Sequence, residues 1–507
     1  MSDKEYVIIA PYKAFNWLLN GIMDDIRGTY KSSFIVLIPE GLTVPEIIKD
    51  KLNTDDIILY TPAISSFFNM AAERDQVFHS ATAYEMKYNL LYYRDILQQE
   101  RSLTPRVMSG VNRDLIQKCK HLTDVQICNA INQLFIFCES VFEQYQIKFC
   151  IVWPRTAIET VLAFNAEHNM VSVTFPYVSK GEGNLIYWAN GSFATGEQHV
   201  ALYNSDEIFS SRDDAPILAP TDRAGASKKE RNARKDARHY HSLSGTLKQI
   251  FRATYRFSIM RTQDLLSLKW PRRASFFMTV ANSIRNFYFH RSFIKMCTSM
   301  DSISGRFALF AFQNEPEFSV QGRCKNNNNQ IQIARELAMN MPVGITLLIK
   351  EHAWIGNRSL EAYEDLLKLP NVRMIPFYEK ASEIIPKTVF VASLNGSVLF
   401  EAAMASKPAI AFSRSSEFLC LENVTIVENL TELDGVIRKI CGKVSSKEGA
   451  SWKRSAKRYL EVMRYLSFDG TPLFGNPFET IEKDQLDKSF LRLTELLNET
   501  QSKRNLG

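Results

Sequence analysis

"TVFVASLNGSVLFEAAMASKPAIAF", residues 388–412, decides the fold class. It opens as an apolar, β-prone run (TVFVA) and passes through a turn of small polar residues (SLNGS). A short helical stretch (VLFEAAMAS) follows, and then a second β-prone run (PAIAF). A strand joined to the next strand through a helix is the unit of a parallel sheet. The same alternation extends upstream. "RFALFAFQ" (306–313) is a strand, "NQIQIARELAMNM" a helix, "GITLLIKEH" a strand, "LEAYEDLLKLP" a helix and "VRMIPF" a strand. Downstream, "VTIVENLTELDGVIRKICGKV" adds one more strand and helix. The N-terminal half repeats the pattern with strands at 5–12, 32–40, 55–62, 147–154 and 170–177. Residues 80–148 between them read as largely helical. The expected fold class is α/β, with two Rossmann-like domains facing a cleft and a basic helical insert between them.

At 507 residues the chain is too long for one ordinary core. Apolar residues make up 45% and charged residues 23%, as in soluble globular proteins. No uninterrupted apolar run reaches about 18 residues, and the N-terminus lacks a signal-peptide pattern. The eight cysteines are scattered without a C-x-x-C pair, which argues against zinc ribbons and redox motifs. A cytoplasmic setting is expected. The net charge of +6 hides an asymmetry. Residues 221–300 hold 17 Lys/Arg against four Asp/Glu, so this stretch carries +13 and the remainder −7. Within it, Phe251, Tyr255, Ile259 and Leu265 fall near helical spacing, with Arg252, Arg256 and Arg261 between them. This is the pattern of a basic amphipathic helix. The expected domains are 1–210, Rossmann-like; 211–300, the basic linker and helical insert; 301–445, Rossmann-like again; and 446–507, helices packing back across the cleft.

In open α/β sheets ligands bind outside the carboxyl ends of the strands. Two polar clusters occupy such ends. One is Lys350, Glu351 and His352, which close the apolar run "ITLLI". The other is Ser393, Asn395, Gly396 and Ser397. Backbone N–H groups at a helix start point outward unpaired and favour a phosphate. Gly396 permits close approach of the backbone, and the serines can donate hydroxyl hydrogen bonds. Glu401 lies one turn beyond Ser397 on the same helical face, suited to ribose hydroxyls. His352 can donate to a phosphate oxygen. Each polar residue alone would be an ordinary loop or cap residue. The functional expectation comes from finding both clusters in one domain.

The stretches "FALFAFQNEPEFSV", "LLIKEHAWIGNRS", "LPNVRMIPF" and "ASLNGSVLFEAAMASKPAIAF" together resemble the bacterial capsule polysaccharide biosynthesis family, whose relatives include transferases of 3-deoxy-manno-octulosonic acid (Kdo). The resemblance covers 300–415 and extends to "IVWPRTAIETVLAFNAEHNMVSVTF". Gln313, Pro316 and Glu317 match a Gln-x-x-Pro-Glu-like element, and Lys350 to His352 match a Lys-Glu-His element. Gly396, Ser397, Glu401 and Ala402 match a Gly/Ser turn before a helix, and Lys407 and Pro408 a Lys-Pro pair. Ala353 stands where the family carries proline.

The resemblance implies a metal-independent GT-B glycosyltransferase that needs no cofactor beyond its nucleotide-sugar substrate, with a CMP-sugar as the favoured donor. The donor would meet His352, Lys350, Glu351, Gln313, Ser393, Asn395, Gly396, Ser397 and Glu401, with the backbone of Ile375, Pro376 and Phe377 flanking the base. The general base would come from the N-terminal domain, with Glu182 as candidate and Glu40 as the other. The acceptor would be a glycan or a lipid-linked glycan, and residues 223–300 would reach the inner membrane surface. No nucleic-acid motif accompanies the basic stretch, so no nucleic-acid partner is expected. A CDP-glycerol-type glycerophosphotransferase and a non-catalytic GT-B-like assembly protein are the alternatives.

Overall fold

The structure, a computed structural model, describes residues 4–11, 15–40, 42–68, 70–90, 93–100, 122–178, 185–191, 196–205, 242–259, 270–314, 320, 324, 327–352, 358–414, 417–442, 446–469 and 483–505. These fall into two compact units. One takes its residues from Met1–Glu100, Lys120–Ile208 and Leu460–Gly507, and the other from Phe209–Tyr459.

The first unit is built on β1 (Glu5–Ile9), β2 (Ser33–Pro39), β3 (Ile57–Thr61), β4 (Gln146–Ile151), β5 (Ser172–Val178) and β6 (Leu185–Asn190). Their order is β6-β5-β4-β1-β2-β3. β1 to β5 pair in parallel, and β6 joins β5 antiparallel. Val7 to Ile9 of β1 and Phe34 to Ile38 of β2 are buried without alternation, as in a parallel sheet covered on both faces. Helix Asn16–Tyr30 turns Leu18, Leu19, Ile22, Met23 and Ile26 inward at helical spacing. Helix Asp124–Gln144 starts on a capping box, with Gln126 N–H donating to Thr123 Oγ1 and Thr123 N–H to Gln126 Oε1. It is long and apolar enough to cross a membrane by length and composition, but half of it is buried. It packs against helices Arg74–Lys87 and Ala157–His168, as a core helix does.

The second unit contains β7 (Arg306–Ala311), β8 (Ile345–Lys350), β9 (Val372–Ile375), β10 (Val391–Ser393), β11 (Ala409–Ala411) and β12 (Val424–Ile426). All its pairings are parallel, in the order β12-β11-β10-β7-β8-β9. Counted from its first strand, this is the doubly wound Rossmann order. Side-chain caps start two of its described helices: Asn329 at Gln330–Met339 and Ser359 at Leu360–Leu367. The two Rossmann-like sheets expected from the alternation of strands and helices are both present.

The domain limits differ from those expected. A last strand, β13 (Phe468–Asp469), pairs antiparallel with β6 and extends the first sheet. Helix Lys483–Asn505 also belongs to the first unit. Trp188 Nε1–H donates to the Ser489 carbonyl at 3.0 Å, and Leu493 and Leu496 join the core of Phe34 and Val36. At Gly21 a Cβ would come within 2.6 Å of Leu486 Cδ2, so the missing side chain lets these helices approach closely. The division falls inside helix Ser446–Leu466 rather than before it.

The basic insert also ends differently. Residues 206–241 and 260–269, including Arg261 and Leu265, lie outside the described residues. Helices Leu243–Ile259 and Trp270–Met296 pack against each other. The second helix ends in the core of the second unit, where Phe293 meets Tyr363 ring to ring at 5.3 Å. Its last turns are therefore core, because their aromatic residues fill space over β8 and β9.

Candidate functional site

In the second unit the strand order reverses between β7 and β10, and this is where a doubly wound sheet opens a crevice. Both strands leave the sheet here in polar residues. Gln313 follows β7, and its amide grips Asn395 beyond β10 twice. Gln313 Nε2–H donates to Asn395 Oδ1 at 2.8 Å, and Asn395 N–H donates to Gln313 Oε1 at 3.3 Å. Ser393 Oγ–H donates to the Ala311 carbonyl at 3.3 Å. Gln330 holds the Gln313 backbone from both sides. Ser393 and Asn395 are buried, so their side chains fix the turn from within. At Gly396 a Cβ would stand 2.8 Å from Ser393 Oγ. A side chain there would have to displace the Ser393 hydroxyl from the Ala311 carbonyl, which gives the glycine its reason.

The turn then enters helix Val398–Met404, which has no side-chain cap. Gly396, Ser397 and Glu401 are partly exposed, and Ser397 Oγ–H donates to Glu401 Oε1 at 3.4 Å. Ser397 and Glu401, expected to project from one helical face toward a ligand, lie one turn apart and bond to each other.

β8 lies on the other side of β7, two strand spacings or roughly 10 Å from β10. Glu351, expected among the donor contacts, instead has its carboxylate inside the protein, at 2% exposure. Arg358 donates to both its oxygens, at 2.9 and 2.7 Å, and Tyr363 OH and the His352 N–H also donate to it. Burial first, and the Glu351 charge second, push the Tyr363 phenol well above its ordinary pKa and keep it a donor. Arg358 also donates to the Gln313 carbonyl at 3.0 Å and covers the Phe312 ring. One buried ion pair thus ties the ends of β7 and β8 together. Lys350 Nζ donates to the Phe377 carbonyl at 3.0 Å and links β8 to the segment after β9. Ile375, Pro376 and Phe377 bury their side chains, so only their backbone can meet a ligand. His352 remains partly exposed beside this framework.

Sequence reading missed Arg358, Tyr363 and Gln330. Arg358 lies in the quoted stretch "LLIKEHAWIGNRS", but no periodicity pairs it with Glu351. Pro316, Glu317, Ala353 and the proposed base Glu182 lie outside the described residues. Glu40 is exposed beyond β2 and accepts the Ala63 N–H at 3.3 Å. Among the described residues, no group of three or more His, Cys, Asp and Glu could hold a metal.

The corresponding helix of the first unit, Ala157–His168 after β4, is closed differently. Glu100 accepts the Ala157 N–H at 3.0 Å, and Glu159 accepts the Thr156 N–H at 3.1 Å. Glu159 also pairs with Arg155 at 3.0 Å. Two carboxylates already occupy this helix start, and they repel an anion.

No family model and no curated protein matches the chain. Among solved structures it is similar to the Methanocaldococcus jannaschii UDP-GlcNAc 2-epimerase in complex with UDP-GlcNAc and UDP. The identity is 13%, over 91% of this chain and 99% of that one, with a TM-score of 0.26. It is similar to a UDP-N-acetylglucosamine 2-epimerase from Listeria monocytogenes at 8% identity, over 95% and 99%, with a TM-score of 0.26. It is also similar to Phytolacca americana UGT2 at 10% identity, over 98% and 100%, with a TM-score of 0.24. Scores this low do not superpose whole chains, and the fold assignment rests on the strand orders.

Proposed function

We propose that the chain is a GT-B-type glycosyltransferase that takes a nucleotide-sugar donor at the strand-order reversal of its C-terminal unit. The observation that carries this is the Gln313–Asn395 clamp, which holds the turn 393–397 open-ended into an uncapped helix. The first unit fills its corresponding helix start with Glu100 and Glu159. In this proposal an anionic phosphate is taken at the second helix start, where Glu401 is bonded to Ser397, rather than at the first, where two carboxylates hold the backbone N–H groups. In this proposal the backbone N–H groups after Gly396 and the His352 imidazole meet the donor phosphate. As the sugar–phosphate bond breaks, they stabilise the charge that develops on the leaving group. Glu401 accepts from the ribose, and Lys350 orients the backbone beside the base. Ser393, Asn395, Gln313 and Glu351 are positioning residues in this arrangement.

A CMP-sugar donor and a glycan or lipid-linked acceptor in capsular polysaccharide assembly belong to the same proposal, through the resemblance of 300–415. So does a base that takes the acceptor hydroxyl proton, for which Glu182 is the candidate. A thermal-shift series with CMP, CDP, UDP and GDP tests the donor site, and product analysis with CMP-sugars and CDP-polyols tests the reaction. Stabilisation by one nucleotide with sugar transfer supports the proposal. Transfer of a polyol phosphate would replace it.

A further inference from the structure

Helix Leu243–Ile259 presents an inverted surface. Its buried positions, Gly245 and Thr246, face one way, and Ser283 Oγ–H on the neighbouring helix donates to Gln249 Oε1. The opposite face should be polar in a water-facing helix. Instead its centre carries Leu243, Leu247 and Phe251 at successive four-residue steps, 58%, 57% and 70% exposed. Tyr255 continues the line and stacks on Phe251. On the neighbouring helix Ile284 and Tyr288 repeat the four-residue step, also exposed. Of this stripe the sequence pattern showed only Phe251 and Tyr255.

The two helices that carry the stripe have charge of one sign. Neither 243–259 nor 270–296 contains an aspartate or glutamate, and together they carry eight Lys/Arg. Lys248 and Arg252 are exposed along one flank of the stripe, and Arg285 and Arg291 are exposed beside Ile284 and Tyr288. A solvated helix mixes its charges. A nucleic-acid surface places its cations at the centre of the contact. An apolar ridge on helices whose charged residues are all basic is complementary to a bilayer of anionic lipid, whose acyl boundary takes Leu and Phe while its headgroups take Lys and Arg.

We infer that the face of helix Leu243–Ile259 centred on Leu247 and Phe251 docks on an anionic membrane surface. The inference is independent of the donor site, because its test uses no nucleotide. The full chain is sedimented with vesicles of phosphatidylcholine alone and with vesicles of phosphatidylcholine and phosphatidylglycerol. Binding is expected only to the second kind, and it should weaken as salt is raised. Leu247→Glu/Phe251→Glu should lower partitioning at least about tenfold, and Lys248→Gln/Arg252→Gln should lower it by a smaller factor. Met86→Glu, at an exposed position of the first unit, should leave partitioning unchanged. Phe251→Trp, a gentler change, should give an indole emission that shifts to the blue on anionic vesicles. Absent binding, binding indifferent to the Leu247 and Phe251 changes, or no blue shift in the Phe251→Trp variant would overturn the inference. So would nucleic-acid binding without vesicle binding, or a dimer in solution that the Leu247→Glu/Phe251→Glu variant dissociates.

Discussion

At the scale of single residues, Glu351 and His352 are neighbours in sequence with opposite duties. Glu351 is buried and bound by Arg358, Tyr363 and the His352 N–H. Removing one partner of a buried pair leaves an uncompensated charge. Glu351→Gln should therefore lower stability by about 3–5 kcal/mol in urea unfolding. A loss near zero would mean that the pair is open to solvent. His352→Ala should do the reverse, leaving unfolding unchanged while turnover falls on the order of 10²-fold. Unchanged kinetics would remove His352 from the site. His290 gives a pH dependence. Its ring packs against Phe377, and burial lowers its pKa from 6.5 to about 4. The folded chain then keeps His290 neutral where the unfolded chain would protonate it. Stability should be full above pH 6.5 and fall as the pH drops from 6.5 towards 4. His290→Gln should flatten that slope in thermal unfolding followed against pH.

At the scale of elements, the turn from β10 into helix Val398–Met404 is set by packing as much as by polarity. Gly396→Ala would push a methyl to 2.8 Å from Ser393 Oγ. It should cost roughly 1–3 kcal/mol and weaken nucleotide binding together, as read by unfolding and by titration. Glu401→Gln should weaken nucleotide binding about tenfold without a stability loss, because that side chain is partly exposed. Much of this element was legible in the sequence. A β-prone run, a small polar turn and an alanine-rich helix leave few alternatives, and the parallel strands stand out as unbroken apolar runs. The ties holding the turn were not legible. Gln313 and Asn395 lie 82 residues apart, and Arg358 lies seven residues from Glu351 with no regular spacing to pair them. Polar residues meant for a ligand and those meant for each other look alike in sequence. Ser393, Asn395 and Glu351 proved to be of the second kind.

At the scale of the whole molecule, the chain's end is part of its beginning. β6 pairs antiparallel with both its neighbours and β13 is only Phe468–Asp469, so neither showed as a parallel-sheet strand in the sequence. The contact between Trp188 and Ser489 spans 301 residues, beyond any local pattern. A chain ended at Tyr459 would lose β13 together with Leu493 and Leu496 from the first core. It should lose the cooperative unfolding of the first unit in calorimetry while the second unit keeps its own transition. The two units share an architecture but differ at one helix start: Glu100 and Glu159 accept backbone N–H groups at the first, whereas Glu401 at the second bonds the Ser397 hydroxyl and the N-cap side chain makes no cap. The proposal puts the donor in the C-terminal unit on that difference, and one titration tests it most directly. CMP, CDP, UDP and GDP are titrated by calorimetry into the wild-type chain and into His352→Ala and Glu401→Gln, with folding checked by thermal unfolding. At least one nucleotide should bind, and both substitutions should weaken it. No binding by any of the four, or binding that neither substitution alters, would contradict a donor site at this place.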